Sequence, residues 1–483
     1  MLLPFIVIIP LLGAIISATV RKNTYPLQVI ISVTACLELI IAIIATANVL
    51  INKSYFFDPF FSVDAFSAII LLVTATVSFA ASFYSIGYLK EEVKKDIIGF
   101  HRVKEYFVLL HLFLGSMFLA IITVSPIVMW VAVEATTLST AFLISFYSKL
   151  SSMEAAWKYL IVNSIGLLLG FLGTIVFLSP VLNLTEDKFV NWFTLNTHVS
   201  LLSPDLTKIA FIFILIGYGT KAGLAPMHTW LPDAHSKAPP PISALLSGAL
   251  LNIAMMAILR FKIVTDAAVG NYFSQNLLIF FGVISIAIPA FIIIVQKNYK
   301  RLFAYSSIEH MGIMAIGFGF GGIGTFGALL HMIYHSLTKS VLFFSAGNIF
   351  LKYSSTRIAN VKGVLSSMPT TGIVLLIGFL AIIGMPPFGI FITEFYILSS
   401  GITKFPLVVG LILILLILIF VGFLKHIVDI AFSQKEESMN KDEANIFTIF
   451  PAIFLLVLFI FTSLYLPQPL KSLIDTAVTL LNK

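Results

Sequence analysis

Long apolar runs follow one another along the whole chain, separated by short stretches of charge, glycine or proline. Fourteen of them fall near 3–20, 27–51, 62–88, 106–123, 126–148, 154–179, 206–230, 240–264, 276–297, 303–321, 324–350, 368–399, 405–427 and 446–466. About 20 apolar residues in helical rise cross a hydrocarbon core. The pattern therefore predicts an all-α polytopic membrane protein with about 14 transmembrane helices. The pair at 303–350 is the least regular, and Gly317, Gly319, Gly321, Gly322 and Gly324 mark the turn within it. The first run, MLLPFIVIIPLLGAIISATV, has no basic residue before it and is followed by Arg21 and Lys22. It reads as a retained first span with the N-terminus outside.

Composition agrees with this reading. Of 483 residues, 59% are hydrophobic and 11% charged, with a mean hydropathy of +1.05. A soluble domain carries roughly 25% charged residues. The net charge of +7 does not mark a nucleic-acid binder, because the basic residues sit in short loops. Nineteen of the 29 lysines and arginines follow odd-numbered runs and eight lie on the other side. That bias places the odd-to-even loops in the cytoplasm and both termini outside; the expected location is the cytoplasmic (inner) membrane of a prokaryote. The largest outer loop, 180–205, contains EDKFVNWF and is expected to hold a short interfacial helix. The inner loops 89–105 and 428–445 mix both signs, as solvated loops or docking surfaces do. Cys36 is the single cysteine, so the chain offers neither an internal disulfide nor a cysteine-ligated iron–sulfur cluster.

Two runs are interrupted. The seventh contains Lys221 to Pro241, KAGLAPMHTWLPDAHSKAPPP, and the twelfth contains IIGMPPFGIFITEF with Gly384, Pro386, Pro387 and Gly389. A broken helix survives in a membrane only where protein or a wet cavity takes up the freed carbonyls. A shift of five spans is odd, so the two breaks would have opposite orientation, which points to an inverted-repeat transporter. The expected organisation is 1–105 for spans one to three, 106–264 for a first five-helix repeat, 276–427 for a second, and 428–483 for an inner loop and span fourteen.

Ionisable residues within the runs mark the candidate chemistry: Glu134 in span five, Lys221 in span seven, His331, His335 and Lys339 in span eleven, and Glu394 just past the second break. Each costs at least ~2.5 kcal/mol at the bilayer centre and needs a reason. Lys221 lies roughly 20 Å of helix from Lys208, too deep for easy snorkelling. His331, His335 and Lys339 share one helix face. That spacing suits a proton relay, satisfied core histidines, or metal ligands; no carboxylate or cysteine joins them on this helix, and no metal site is assigned. Glu154 and Lys158 are spaced as a local ion pair. Glu309 and His310, and the loop residues Asp233, His235 and Lys237, are weaker candidates.

The stretch from Lys221 to Leu246, together with KRLFAYSSIEHMG (Lys300 to Gly312) and HMIYHSLTKSVLFFSAGNI (His331 to Ile349), resembles the antiporter-like proton-pumping subunits of respiratory complex I and their Mrp antiporter relatives. VEATTLSTAFLISFY, EAAWKY and the glutamate in SSIEHMG are most similar to the F-type subunit of group 4 membrane-bound hydrogenases and formate hydrogenlyases. The resemblance implies that Glu134 pairs with Lys221, that His331, His335 and Lys339 form a central relay, and that Glu394 ends the second half-channel. It implies proton translocation within a redox-driven complex, with no cofactor in this chain. Iron–sulfur clusters, nickel–iron or flavin would belong to partner subunits. The implied partners are other membrane subunits, a peripheral redox arm and lipids, not nucleic acid. A complex I subunit or a Na⁺/H⁺ antiporter (Mrp) subunit are the alternatives. The sequence departs from many complex I members at Asn252, where they carry a second lysine.

Overall fold

The computed structural model describes residues 2–57, 59–182, 190–434 and 441–482. Nearly all of this is helix. In chain order the helices are α1 Phe5–Thr19, α2 Thr24–Asn52, α3 Ala65–Lys94, α4 Phe100–Ile122, α5 Pro126–Ile144, α6 Leu150–Leu178, α7 Trp192–Thr197, α8 Pro204–Ala222, α9 Leu231–Lys237, α10 Pro240–Leu245, α11 Leu251–Val269, α12 Asn271–Val295, α13 Tyr299–Phe320, α14 Ile323–Tyr353, α15 Val364–Ser367, α16 Pro369–Ile382, α17 Gly389–Gly401, α18 Pro406–Phe432, α19 Ile446–Leu464 and α20 Gln468–Leu481. A hairpin of β1 Ser54–Phe57 and β2 Phe61–Asp64 joins α2 to α3.

Helix starts follow local chemistry. Asn23, Asp64, Ser125 and Asn298 each accept a hydrogen bond from a first-turn backbone N–H of the helix they precede. Among the described residues, ten helices, counting α8 through α9 as one and α10 through α11 as one, are long and apolar enough to cross a membrane. Helices also occupy the other predicted runs, including α13 and α14 across the irregular pair, where the turn falls at Gly321 and Gly322. α7 lies in the loop expected to hold an interfacial helix, but Glu186 to Phe189 of that segment fall outside the described residues. α20 has no counterpart among the predicted runs, because its mixed composition hides it from a hydropathy window.

The outer surface carries many exposed large apolar side chains, such as Leu150 at 87%, Leu407 and Ile417. The interior is largely apolar too, but it encloses buried charged and polar groups such as Lys221, Glu309, His335 and Lys339. The 30 residues from Pro240 to Val269 form one helix whose apolar stretch is wholly buried. It is interrupted by a π turn at Leu246–Leu250, a feature found mostly at functional positions. α14 runs beside it and packs on α3, α10, α13, α16, α17 and α19. α6 and α8 approach closely because Gly217 faces Gly170: a β-carbon on Gly217 would strike the Gly170 backbone. Small residues are how membrane helices come this near, and here the approach sets the residues of α6 against Lys221.

Candidate functional site

α8 stops at Ala222 because Gly223 adopts a left-handed conformation, φ 76°. The chain then passes through the cis Ala225–Pro226 bond and a 3₁₀ turn, Met227–Trp230, into α9. The exposed backbone groups are taken up by side chains. Trp230 Nε1 donates to the Thr220 carbonyl at 2.9 Å, and Ala225 N donates to Ser285 Oγ at 2.8 Å. The break is therefore enclosed by protein.

Lys221, in the last turn before the break, is 0% exposed. Its ammonium donates to Thr137 Oγ1 at 2.8 Å and Tyr159 OH at 2.7 Å. It also lies 4.9 Å from the centre of the Tyr159 ring, a cation–π distance. Tyr159 OH is in turn 2.6 Å from Thr140 Oγ1. Glu134 lies on α5 one turn before Thr137, but its Oε1 accepts from Ser164 Oγ at 2.8 Å and its Oε2 is buried without a protein partner. Among the described residues no ion pair joins Glu134 to Lys221. Hydroxyls of α5 and α6 hold the ammonium instead of the expected carboxylate.

Asn252 lies beyond the π turn. Its Nδ2 donates to Ser336 Oγ at 2.7 Å and to the Met332 carbonyl at 3.3 Å, and its Oδ1 is buried without a protein partner. The asparagine thus links α11 to α14, where His331 and His335 lie. Ser247 Oγ, within the π turn, is 2.8 Å from Ser307 Oγ of α13.

On α14, Lys339 donates to the Phe303 carbonyl at 2.8 Å and to Ser306 Oγ. His335 is wholly buried, and neither ring nitrogen has a protein partner. The same holds for His235, whose ring stacks on Phe343 at 4.9 Å. His331 Nε2 lies 2.9 Å from His310 Nδ1, and His331 Nδ1 lies 2.8 Å from Thr393 Oγ1. The His310 ring centre is 5.4 Å from that of His335. Buried polar atoms are rarely left unpaired, yet ring nitrogens of His235, His310 and His335 have no protein partner here.

Thr393 immediately precedes Glu394 on α17, after the second break with its cis Pro386–Pro387 bond. Carboxyl oxygens of Glu309 and Glu394 and a ring nitrogen of His310 lie within 4.8 Å of one another. Sequence reasoning ranked Glu309 and His310 low, because nothing in the chain order announces that α13 meets α17. Tyr159, Thr137, Ser164 and Ser336 were missed, since a hydroxyl in an apolar run carries no charge to flag it. Lys158 does not pair with Glu154. It reaches Asp233 at 2.7 Å, and Arg301 holds the same carboxylate at 2.8 Å.

A broken helix with a buried lysine, and a second break reached through buried histidines, define an antiporter-like polytopic membrane protein. A family profile described as "NADH:quinone oxidoreductase/Mrp antiporter, TM" matches residues 124–424, and one described as "NADH-Ubiquinone oxidoreductase (complex I), chain 5 N-terminus" matches residues 53–96. The chain belongs to the NADH:quinone oxidoreductase/Mrp antiporter transmembrane family. It is 40% identical over 383 residues to the hydrogenase-4 component F homolog of Methylacidiphilum infernorum, covering 78% of this chain and 80% of that one. It is 30% identical to hydrogenase-4 component B of Escherichia coli, covering 71% of this chain and 51% of that one. Identity to NADH-quinone oxidoreductase subunit M of Rickettsia conorii is 27%, covering 69% and 64%. Among solved structures, a chain of the archaeal membrane-bound sulfane sulfur reductase matches with a TM-score of 0.88 at 23% identity, covering 100% of this chain and 98% of that one. A chain of the Mrp complex from Dietzia sp. DQ12-45-1b matches with a TM-score of 0.84 at 18% identity, covering 100% and 97%.

Proposed function

We propose that this chain translocates protons across the cytoplasmic membrane of a prokaryote as a subunit of a redox-driven complex of the group 4 hydrogenase type. The observation that carries the reading is Lys221: a fully buried ammonium, beside a helix break, held by neutral hydroxyls. Such a charge is expensive in a membrane interior. Neutral partners serve the charged amine and the free amine alike, because a hydroxyl both accepts and donates. The site therefore tolerates both protonation states, as a proton carrier must.

On this reading a proton reaches Lys221 under the control of Glu134. It passes across Asn252 and Ser336 to Lys339, His335 and His331, and leaves by Glu394. Glu134 acts from beyond contact distance. At 4 Å and an effective dielectric near 20 a unit charge contributes about 4 kcal/mol, so its influence here is smaller than that. Moving one charge against 100 mV costs about 2.3 kcal/mol. A modest shift of Glu134, or a change in the hydroxyls around Lys221, is therefore of the right size to drive one proton. The driving electron transfer belongs to partner subunits, since the one cysteine here cannot ligate a cluster. The 40% identity to a hydrogenase-4 component F homolog supports the hydrogenase-type assembly. The two breaks support a pair of inverted repeats, 106–264 and 276–427, within fourteen spans, and the charge bias of the loops supports both termini outside.

The test is Lys221→Ala in the intact complex, with proton uptake and electron transfer measured together in vesicles. Coupled translocation should be lost. Translocation at the normal rate while electrons flow would overturn the reading, and exchange that requires Na⁺ would replace it with a sodium antiporter.

A further inference from the structure

We infer that Glu309 and Glu394 share a single proton and form one carboxyl pair that loads and releases it at the second break. This rests on the reading that Glu394 lies on the proton path, and adds Glu309 and the one-proton stoichiometry.

The geometry comes from three places. Oxygens of the two carboxyl groups and a ring nitrogen of His310 gather within 4.8 Å. Glu309 is 3% exposed and His310 wholly buried. The apolar side of Glu394 is walled by Ile286, Ile313, Ile412 and Leu416. Two ionised carboxylates so placed repel strongly, and one ionised with one neutral does not. His310 on α13 lies beside the pair, His331 and His335 on α14 lie beside His310, and the charge of Lys339 on α14 reaches Glu309. Lys339 spends its ammonium on the Phe303 carbonyl and Ser306. Among the described residues no ion pair neutralises either glutamate. One proton between them supplies the missing positive charge.

His310 is placed to deliver it. Its Nδ1 faces His331 Nε2 at 2.9 Å, while its Nε2 is buried without a protein partner. As His331 Nε2 gives its proton to His310 Nδ1, the His310 Nε2–H bond breaks and an O–H bond forms on one carboxyl of the pair, so His310 stays neutral. Release from Glu394 breaks that O–H bond, and no electron moves. The break is shaped around this carboxyl: Gly384 has φ 69°, and a β-carbon there would collide with the Glu394 oxygens.

The experiment uses the purified complex with Glu309→Gln, Glu394→Gln and the double variant. Infrared difference spectra across a pH step read the carbonyl stretch of a protonated carboxylic acid and need no turnover. In the parent one such band should appear, and each single variant should abolish or displace it, whereas Glu309→Asp should retain it. Proton translocation should fall about a hundredfold in each single variant, as on loss of a proton-transfer group, and no further in the double variant. A band that survives either single variant, or losses that multiply in the double variant, would overturn the shared proton. So would removal of the parent band by NaCl at constant pH, which would make the triad a sodium site. Failure of the transport reading is seen separately, as normal pumping by Lys221→Ala, and would leave the infrared result standing.

Discussion

The Lys221 ammonium donates to the phenol oxygen of Tyr159 at 2.7 Å and not to Glu134, which is held by Ser164. Tyr159 is anchored by Thr140 at 2.6 Å and packs edge-on against Trp230 at 5.0 Å, so the phenol is fixed where the amine needs it. Tyr159→Phe should assemble normally and slow proton translocation about tenfold, the loss of one hydrogen bond of ~1.4 kcal/mol to a charged group. Vesicle proton uptake at matched electron-transfer rates measures this. An unchanged rate would mean that Thr137 alone suffices.

Asn252→Leu removes the link from the buried helix to Ser336. The shape is nearly kept, and Ser336 still donates to the Met332 carbonyl at 2.7 Å. Thermal stability should therefore drop by no more than about 1–3 kcal/mol, while translocation should fall well below that of Tyr159→Phe. Equal translocation in the variant and the parent would show that the proton does not cross at Asn252.

Gly384→Ala tests the second break without replacing an ionisable residue. The new methyl group would strike the Glu394 carboxyl and strain a left-handed backbone. Proton translocation should be lost while electron transfer by the partners continues uncoupled or slows. Retained coupling would mean that the Glu394 carboxyl can move away and still work.

Asp64 caps α3 and forms a two-pronged contact with Arg260 of α11, at 2.6 and 2.8 Å. Burial alone would raise its pKa. The Arg260 charge and hydrogen bonds, with Ser67, outweigh burial and hold it at about 2. An unfolded aspartate titrates at about 3.9. The folded value is the lower, so the contact stabilises fully above about pH 4 and is lost as pH falls toward 2, with about 2 kcal/mol at stake. Asp64→Asn should lower the melting temperature at neutral pH and flatten its acid dependence over that window. An identical acid limb in parent and variant would show that this pair does not set it.

Hydropathy was enough to find where helices lie, because membrane burial demands long apolar runs whatever the neighbours are. Glycine and proline were enough to find the two breaks. Lys221, the histidines and Glu394 announced themselves by charge in an apolar setting. What stayed hidden was contact between distant segments. The meeting of Glu309 with Glu394 depends on α13 packing against α17. The replacement of Glu134 by Tyr159 and Thr137 depends on how closely Gly217 lets α8 approach α6. The π turn at Leu246–Leu250 left no mark in the residue pattern, and α20 was too short and mixed to stand out.

Asp233 grips Lys158 of α6 with one oxygen and Arg301 of α13 with the other. One acid thus rivets together segments that lie more than a hundred residues apart in the chain, just below the first kink. Any tilt of α9 must pull on both cations at once. The stretch expected as a loop is thus a short helix, and its single carboxylate ties α6 to α13.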